Sequence, residues 1–185
     1  MKQRHKIGVC WIALCIGLLP PLCGPQSAHA QQISEYQVKA AYLYSFTKFV
    51  EWPAGTFANT ADPIRMCILN DRSFVAQLIQ IVGSKQIAGH PVLVILVQDG
   101  RQSRGCQELF ISSSQSQETL QIMDSLRGTS VLTVGETNDF VAQGGIINFI
   151  VQDNHVQFQV NQKAASQAGL RMSSQLLSVA KRVFK

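Results

Sequence analysis

The chain has 185 residues, of which 46% are hydrophobic, with 16 basic and 11 acidic side chains and a formal net charge of +5. The apolar share excludes a disordered polyelectrolyte, and the length suits one compact domain. The charge excludes a nucleic-acid footprint: residues 1–30 hold three of the basic residues and no acidic one, so 13 basic against 11 acidic side chains leave +2 beyond them, without a basic cluster.

Residues 1–30 read as a secretory leader. Lys2, Arg4, His5 and Lys6 precede the apolar run Ile7 to Leu19, and Ala28-His29-Ala30 offers the small residues a signal peptidase needs. Pro20, Pro21, Gly24 and Pro25 cut the run short of the roughly 20 apolar residues of a membrane span, which argues against the alternative of an uncleaved anchor. Leu22 is too large to precede a lipidated Cys23. Cleavage between Ala30 and Gln31 would leave one exported domain, residues 31–185. Of the five cysteines only Cys67 and Cys106 then remain. In an oxidising compartment they read as one disulfide, with two free buried thiols as the alternative.

In chain order, Ser34 and Gln37 form a capping-box pattern, and EYQVKAAYLYSFTKFVEW reads as a helix from Glu35 to Trp52, ended by Pro53. Its apolar stripe runs through Val38, Ala41, Tyr42, Ser45, Phe46, Phe49 and Val50, with Glu35 and Lys39 as an i,i+4 pair on the polar side and Tyr44 off the stripe. Ile64 to Leu69 is a buried strand. A helix follows, capped by Ser73, with Phe74, Leu78 and Ile81 inward and Gly83 as its stop. Lys85 to Val97 holds the continuous apolar run PVLVILV, the pattern of a strand buried on both faces.

Leu109 to Ser112 is a short strand, and Gln117 to Leu126 a helix with Leu120, Met123 and Leu126 on one face, stopped at Gly128. Val131 to Val134 is a strand, and Thr137 caps a brief helix through Val141. Ile147 to Gln152 and His155 to Val160 form a hairpin around Asp153-Asn154, with Val156, Phe158 and Val160 on its inner side. Asn161 caps a short helix that Gly169 ends, and Ser173 or Ser174 starts a last helix carrying Val183, with Lys181, Arg182 and Lys185 near its end. The alternation predicts a single-domain α/β sandwich with a mixed sheet, parallel at first and ending in the antiparallel hairpin and two helices.

Chemistry is hard to find in this pattern. His90 and His155 have no metal-ligand spacing to another His or Cys, and no nucleophile elbow, phosphate loop or dinucleotide fingerprint occurs. The carboxylates Asp62, Asp71, Asp99, Glu136 and Asp139 are candidates to meet at one sheet edge, near the strand ends Asn70-Asp71, Gln98-Asp99, Ser112-Ser114 and Gly135-Glu136. No catalytic, cofactor-binding or metal-ligating set emerges, and no partner-binding residues are nominated.

A family resemblance spans most of the exported part. EYQVKAAYLYSFTKFVEWP, VLTVGE followed by DF, GGIINF, and VQFQVNQKAASQAGLRMSSQLLSVA together resemble the YfiR family of periplasmic proteins. The resemblance implies an α/β sandwich that tends to dimerise, with Cys67 and Cys106 in the positions of a family disulfide. A second cysteine pair that relatives can carry near Gly144 is absent here. It also implies a non-enzymatic repressor that binds the periplasmic sensor part of an inner-membrane diguanylate cyclase, lowers cyclic di-GMP and so controls biofilm and motility. An outer-membrane, peptidoglycan-associated lipoprotein would relieve the restraint. The alternative is a periplasmic small-molecule binding module that feeds a membrane sensor kinase. It predicts a pocket with convergent polar groups, whereas a repressor predicts an exposed apolar patch.

Overall fold

The computed structural model describes the backbone from residue 27 and the side chains from residue 35 onward. Most of the expected leader therefore lies outside the described residues. Helix α1 (Ser27–Lys48) crosses the molecule first. Strands β1 (Val50–Glu51) and β2 (Ile64–Leu69), helix α2 (Arg72–Val82), and strands β3 (Gln86–Ile87), β4 (His90–Val97) and β5 (Glu108–Ile111) follow. After them come α3 (Thr119–Ser125), β6 (Leu132–Gly135), β7 (Ile147–Gln152), β8 (His155–Asn161), α4 (Gln162–Gln167), β9 (Arg171–Met172), α5 (Ser174–Val179) and β10 (Arg182–Phe184).

Eight strands form one sheet in the order β10-β8-β7-β6-β5-β2-β4-β3. The central neighbours from β4 to β7 are parallel, and the β7–β8 pair is the antiparallel hairpin. Asp153 and Asn154 take φ of 50° and 60°, the two left-handed residues that a two-residue hairpin turn requires. This is the mixed α/β architecture that the alternation predicts.

Strand alternation sorts the core into two sides. Ile64, Met66, Ile68, Phe110, Leu132, Val134, Phe149 and Phe158 meet α1 and α2 on the first face. Cys67, Leu109, Ile111 and Val131 meet Ile122 of α3 and Leu126 just past it on the second. The Cys67–Cys106 disulfide lies in that second core, with Cα atoms 6.0 Å apart and 39 residues between them in sequence. On the same side Phe140, fully buried, presses its ring against Gly135 and Gly145. A Cβ at either glycine would lie 2.6 or 2.8 Å from the ring's Cγ. The two glycines thus form a slot whose width only hydrogen side chains permit.

Several boundaries differ from the sequence reading, each for a local or tertiary reason. Helix α1 starts before Ser34, which therefore is not its cap, and stops at Lys48. Val50 and Glu51 leave the helix to pair with Met172 and Arg171. The cap of α2 is Asp71, whose carboxylate accepts the Phe74 N–H at 2.9 Å, while Ser73 donates to that same carboxylate. Ala88-Gly89, with φ of 51° and 85°, folds β3 onto β4 as a hairpin hidden inside the expected single strand. Only Val97 of β4 is fully buried, because the strand lies next to the sheet edge and its partner β3 has two residues. Residues 137–141 form turns and no helix.

In α3 the inward residues are Thr119 and Ile122, with Leu126 buried just past its end, whereas Leu120 is 58% exposed. Asn161 caps α4 by accepting the Ala164 N–H, and Gly169 is left-handed, both as expected. The last helix ends at Val179. Arg182 to Phe184 instead pair in parallel with Gln159 to Asn161, a backbone contact that local propensity does not encode.

Candidate functional site

Among the described side chains of α1, two polar ones, Lys39 and Thr47, lie on its buried face, and they define the site. The inward line of the helix is Lys39, Ala40, Leu43, Phe46 and Thr47; of the expected stripe Phe46 is buried, whereas Val38 and Ala41 are exposed. Lys39 is 4% exposed. Its ammonium donates to Glu136 at 2.6 Å and to Glu35, and it stands 5.5 Å from the Tyr36 ring and 6.0 Å from that of Phe149. Glu136 follows β6 at the carboxyl edge of the sheet, and its second oxygen accepts the Ser113 N–H at 2.8 Å. Burial alone would lower the Lys39 pKa. The hydrogen bonds to Glu136 and Glu35 and their charges outweigh it and hold the ammonium above its ordinary value. Burial, reinforced by the charges of Glu136 and Asp71, raises the Tyr36 phenol.

Two turns further along, Thr47 meets Glu108, the first residue of β5, at the amino edge. Eight helical residues span about 12 Å, close to the length of a four-residue strand, so α1 runs antiparallel to the strands and fastens to each end of the sheet. Burial pushes the Glu108 carboxyl up to about 8, against the lowering effect of the Thr47 hydrogen bond.

The carboxylates named from sequence do not assemble into a constellation. Asp62 precedes β2 at the amino edge and accepts the Ala58 N–H at 2.7 Å. Asp71 caps α2, and Asp99 accepts the Gln102 N–H at 2.9 Å. Asp139 is exposed in the loop after Glu136. His90 opens β4 at the amino edge, with Nδ1 at 2.9 Å from the Asp62 carbonyl and its ring 4.2 Å from that of Phe57. His155 stands at the opposite edge, with Nδ1 at 2.6 Å from the Asp153 carbonyl. Across the strand ends, Asn70 donates to Gln98 O and to Gln115 Oε1. These polar groups are spent on loop geometry. Among the described residues no three His, Cys, Asp or Glu side chains gather as metal ligands, and no helix is long and apolar enough to cross a membrane.

Sequence reading paired Lys39 with Glu35, as the structure does, but put Lys39 on the polar side, and it missed Thr47 and Glu108. The available signal was a second helical stripe, offset by one residue from the apolar one, that placed a lysine and a threonine on the core side.

Beside the charge cluster the surface turns apolar. Tyr42 packs on Phe149 and Phe158, with ring centroids 6.0 and 5.6 Å away. One helical turn toward the carboxyl edge lies Val38, and two strand positions the same way lie Val151 and its cross-strand partner Val156. Both steps are about 6 Å, so these residues form one shelf. Val38 is 39% and Val151 50% exposed. A separate open cleft of ≈ 430 Å³ lies between α3 and α4, lined by Leu120, Met123, Arg127, Gln143, Ile146 and Ala168 among others. The Gln143 side-chain carbonyl is buried there without a hydrogen-bond partner.

Two solved structures share the fold at low identity. One is a conserved domain protein of Vibrio cholerae, with 8% identity and a TM-score of 0.52 over 65% of this chain and 54% of that one. The other is described as an ABC domain in complex with L-Trp from Streptococcus pneumoniae, with 11% identity and a TM-score of 0.51 over 78% of this chain and 60% of that one. This chain therefore spans little more than half the length of either. The model of the YfiR/HmsC-like family matches residues 36–181, a stretch that takes in Lys39 and Glu136, the Phe140 slot, both disulfide cysteines and the hairpin; the chain belongs to the YfiR/HmsC-like family.

Proposed function

We propose that this protein is exported, loses its leader after Ala30, and restrains a membrane diguanylate cyclase by binding its periplasmic sensor part. The observation that carries this reading is the family match across residues 36–181, since the family is one of periplasmic regulators of cyclic di-GMP signalling and not of enzymes. The shelf of Val38, Tyr42, Val151 and Val156 supports it, because an exposed apolar patch beside polar residues is what a protein-binding surface requires. A lipoprotein of the outer membrane would relieve the restraint by occupying the same protein.

The shelf is tested by Val151→Asp and Val38→Asp. Both positions are exposed, so each variant should keep its stability within about 0.5 kcal/mol. Each should nevertheless lose repression, with cyclic di-GMP rising toward the level of a deletion strain. Full repression by both variants would remove the shelf from the account. The cleft between α3 and α4 favours a second reading, a small-ligand module, through the unpaired carbonyl of Gln143. Under that reading Leu120→Arg, at the cleft, would alter signalling and the shelf variants would not.

A further inference from the structure

Glu108 is buried, and its contacts account for its protonation state through simple donor counting. Its side chain lies on the α1 side of β5, between the strand partners Met66 and Leu132. Among the described residues no cation faces it from the elements packed around it. Lys39 of α1 is at the other end of the sheet and held by Glu136 and Glu35. Lys48 is exposed and stands over the Tyr44 ring at 5.3 Å. Arg65 of β2 is exposed and alternates to the opposite face from Met66, and β6 carries no charged residue.

The Thr47 hydroxyl oxygen lies 2.5 Å from Glu108 Oε2 and 3.1 Å from the Leu43 carbonyl oxygen. A hydroxyl has one proton to give. Both contacts are hydrogen bonds only when Glu108 is the neutral acid, which donates to Thr47 Oγ1 while Thr47 donates to Leu43. As a carboxylate, Glu108 would take the Thr47 proton from Leu43 and leave Oε1, which has no partner, as part of a buried charge.

We propose that Glu108 is held as a neutral acid and acts as a proton-dependent latch that fastens the C-terminal half of α1 to the amino edge of the sheet. Opening the latch exposes the carboxyl, which then releases its proton whenever the pH lies above its ordinary range. The closed state is therefore favoured fully below about 4.5 and progressively less as the pH rises toward about 8, where the closed form ionises too. Alkaline conditions loosen α1 at Thr47.

The test follows backbone hydrogen exchange at Leu43 to Lys48 in the folded protein, corrected for intrinsic base catalysis. It also follows the Glu108 carboxyl carbon by NMR. Between pH 6 and 8 the opening equilibrium should rise roughly fiftyfold in the unmodified protein and stay flat in Glu108→Gln. The carboxyl should titrate above pH 7. Titration below pH 7, or the same pH slope in Glu108→Gln, would overturn the latch. If the glutamine variant does not fold, the carboxyl titration of the unmodified protein decides alone.

Discussion

Replacing Lys39 by alanine is expected to destabilise the protein by about 3–5 kcal/mol, because it leaves Glu136 buried without its counter-charge. Glu136 has 6% of its side chain exposed, and among the described residues the one other donor to it is the Ser113 N–H. The loss should not be general to the position. A Lys39→Met, Glu136→Gln pair removes both charges, keeps much of the packing volume, and should recover most of the stability. Urea unfolding of the single variants and the pair gives the coupling directly. A loss below about 1 kcal/mol for Lys39→Ala would place the pair among exposed ion pairs and refute its role in fastening α1.

The second large effect concerns the slot around Phe140. Gly145→Ala should cost about 3 kcal/mol, since the new methyl meets an aromatic ring that is fully buried and has nowhere to move. Phe140→Ala should cost about 3–5 kcal/mol through the cavity it opens. In the Phe140→Ala background, however, the Gly145→Ala change should be nearly free, because the three atoms nearest the new methyl all belong to that ring. Additive losses in the double variant would show that something other than the Phe140 ring excludes the methyl at position 145.

What could be read from the sequence was what neighbours in the chain decide. Asp153-Asn154 encodes its own turn, Asn161 its own cap and Gly169 its own left-handed stop, and each stands where local chemistry puts it. Parallel strands came from continuous apolar runs, though β4 shows that such a run also fits a strand next to an edge. The candidate site was less legible. Lys39 and Glu136 are 97 positions apart, and Thr47 and Glu108 are 61. Without those partners in view, a lysine on a helix is assigned to the solvent face. The C-terminal segment failed for the same reason: Lys181, Arg182 and Val183 suit a helix end, but the Lys181 N–H donates to Phe158 O and the residues after it join the sheet.

The mechanism that the family suggests must cross a membrane, so the coupling has to be conformational. Under the proposed function, the protein would shift a cyclase only by the difference between its affinities for the inactive and active sensor states. A hundredfold preference supplies about 2.7 kcal/mol, enough to silence most of a cyclase that is otherwise near balance. The direct measurement is cyclic di-GMP in the parent strain, a deletion of this protein, a deletion of the partner cyclase, and the double deletion, with a leaderless variant as a fifth strain. The account predicts a rise in the first deletion, no rise in the double, and deletion-like behaviour of the variant that lacks residues 1–30. Unchanged cyclic di-GMP in the deletion, under conditions where the cyclase is made, would contradict it.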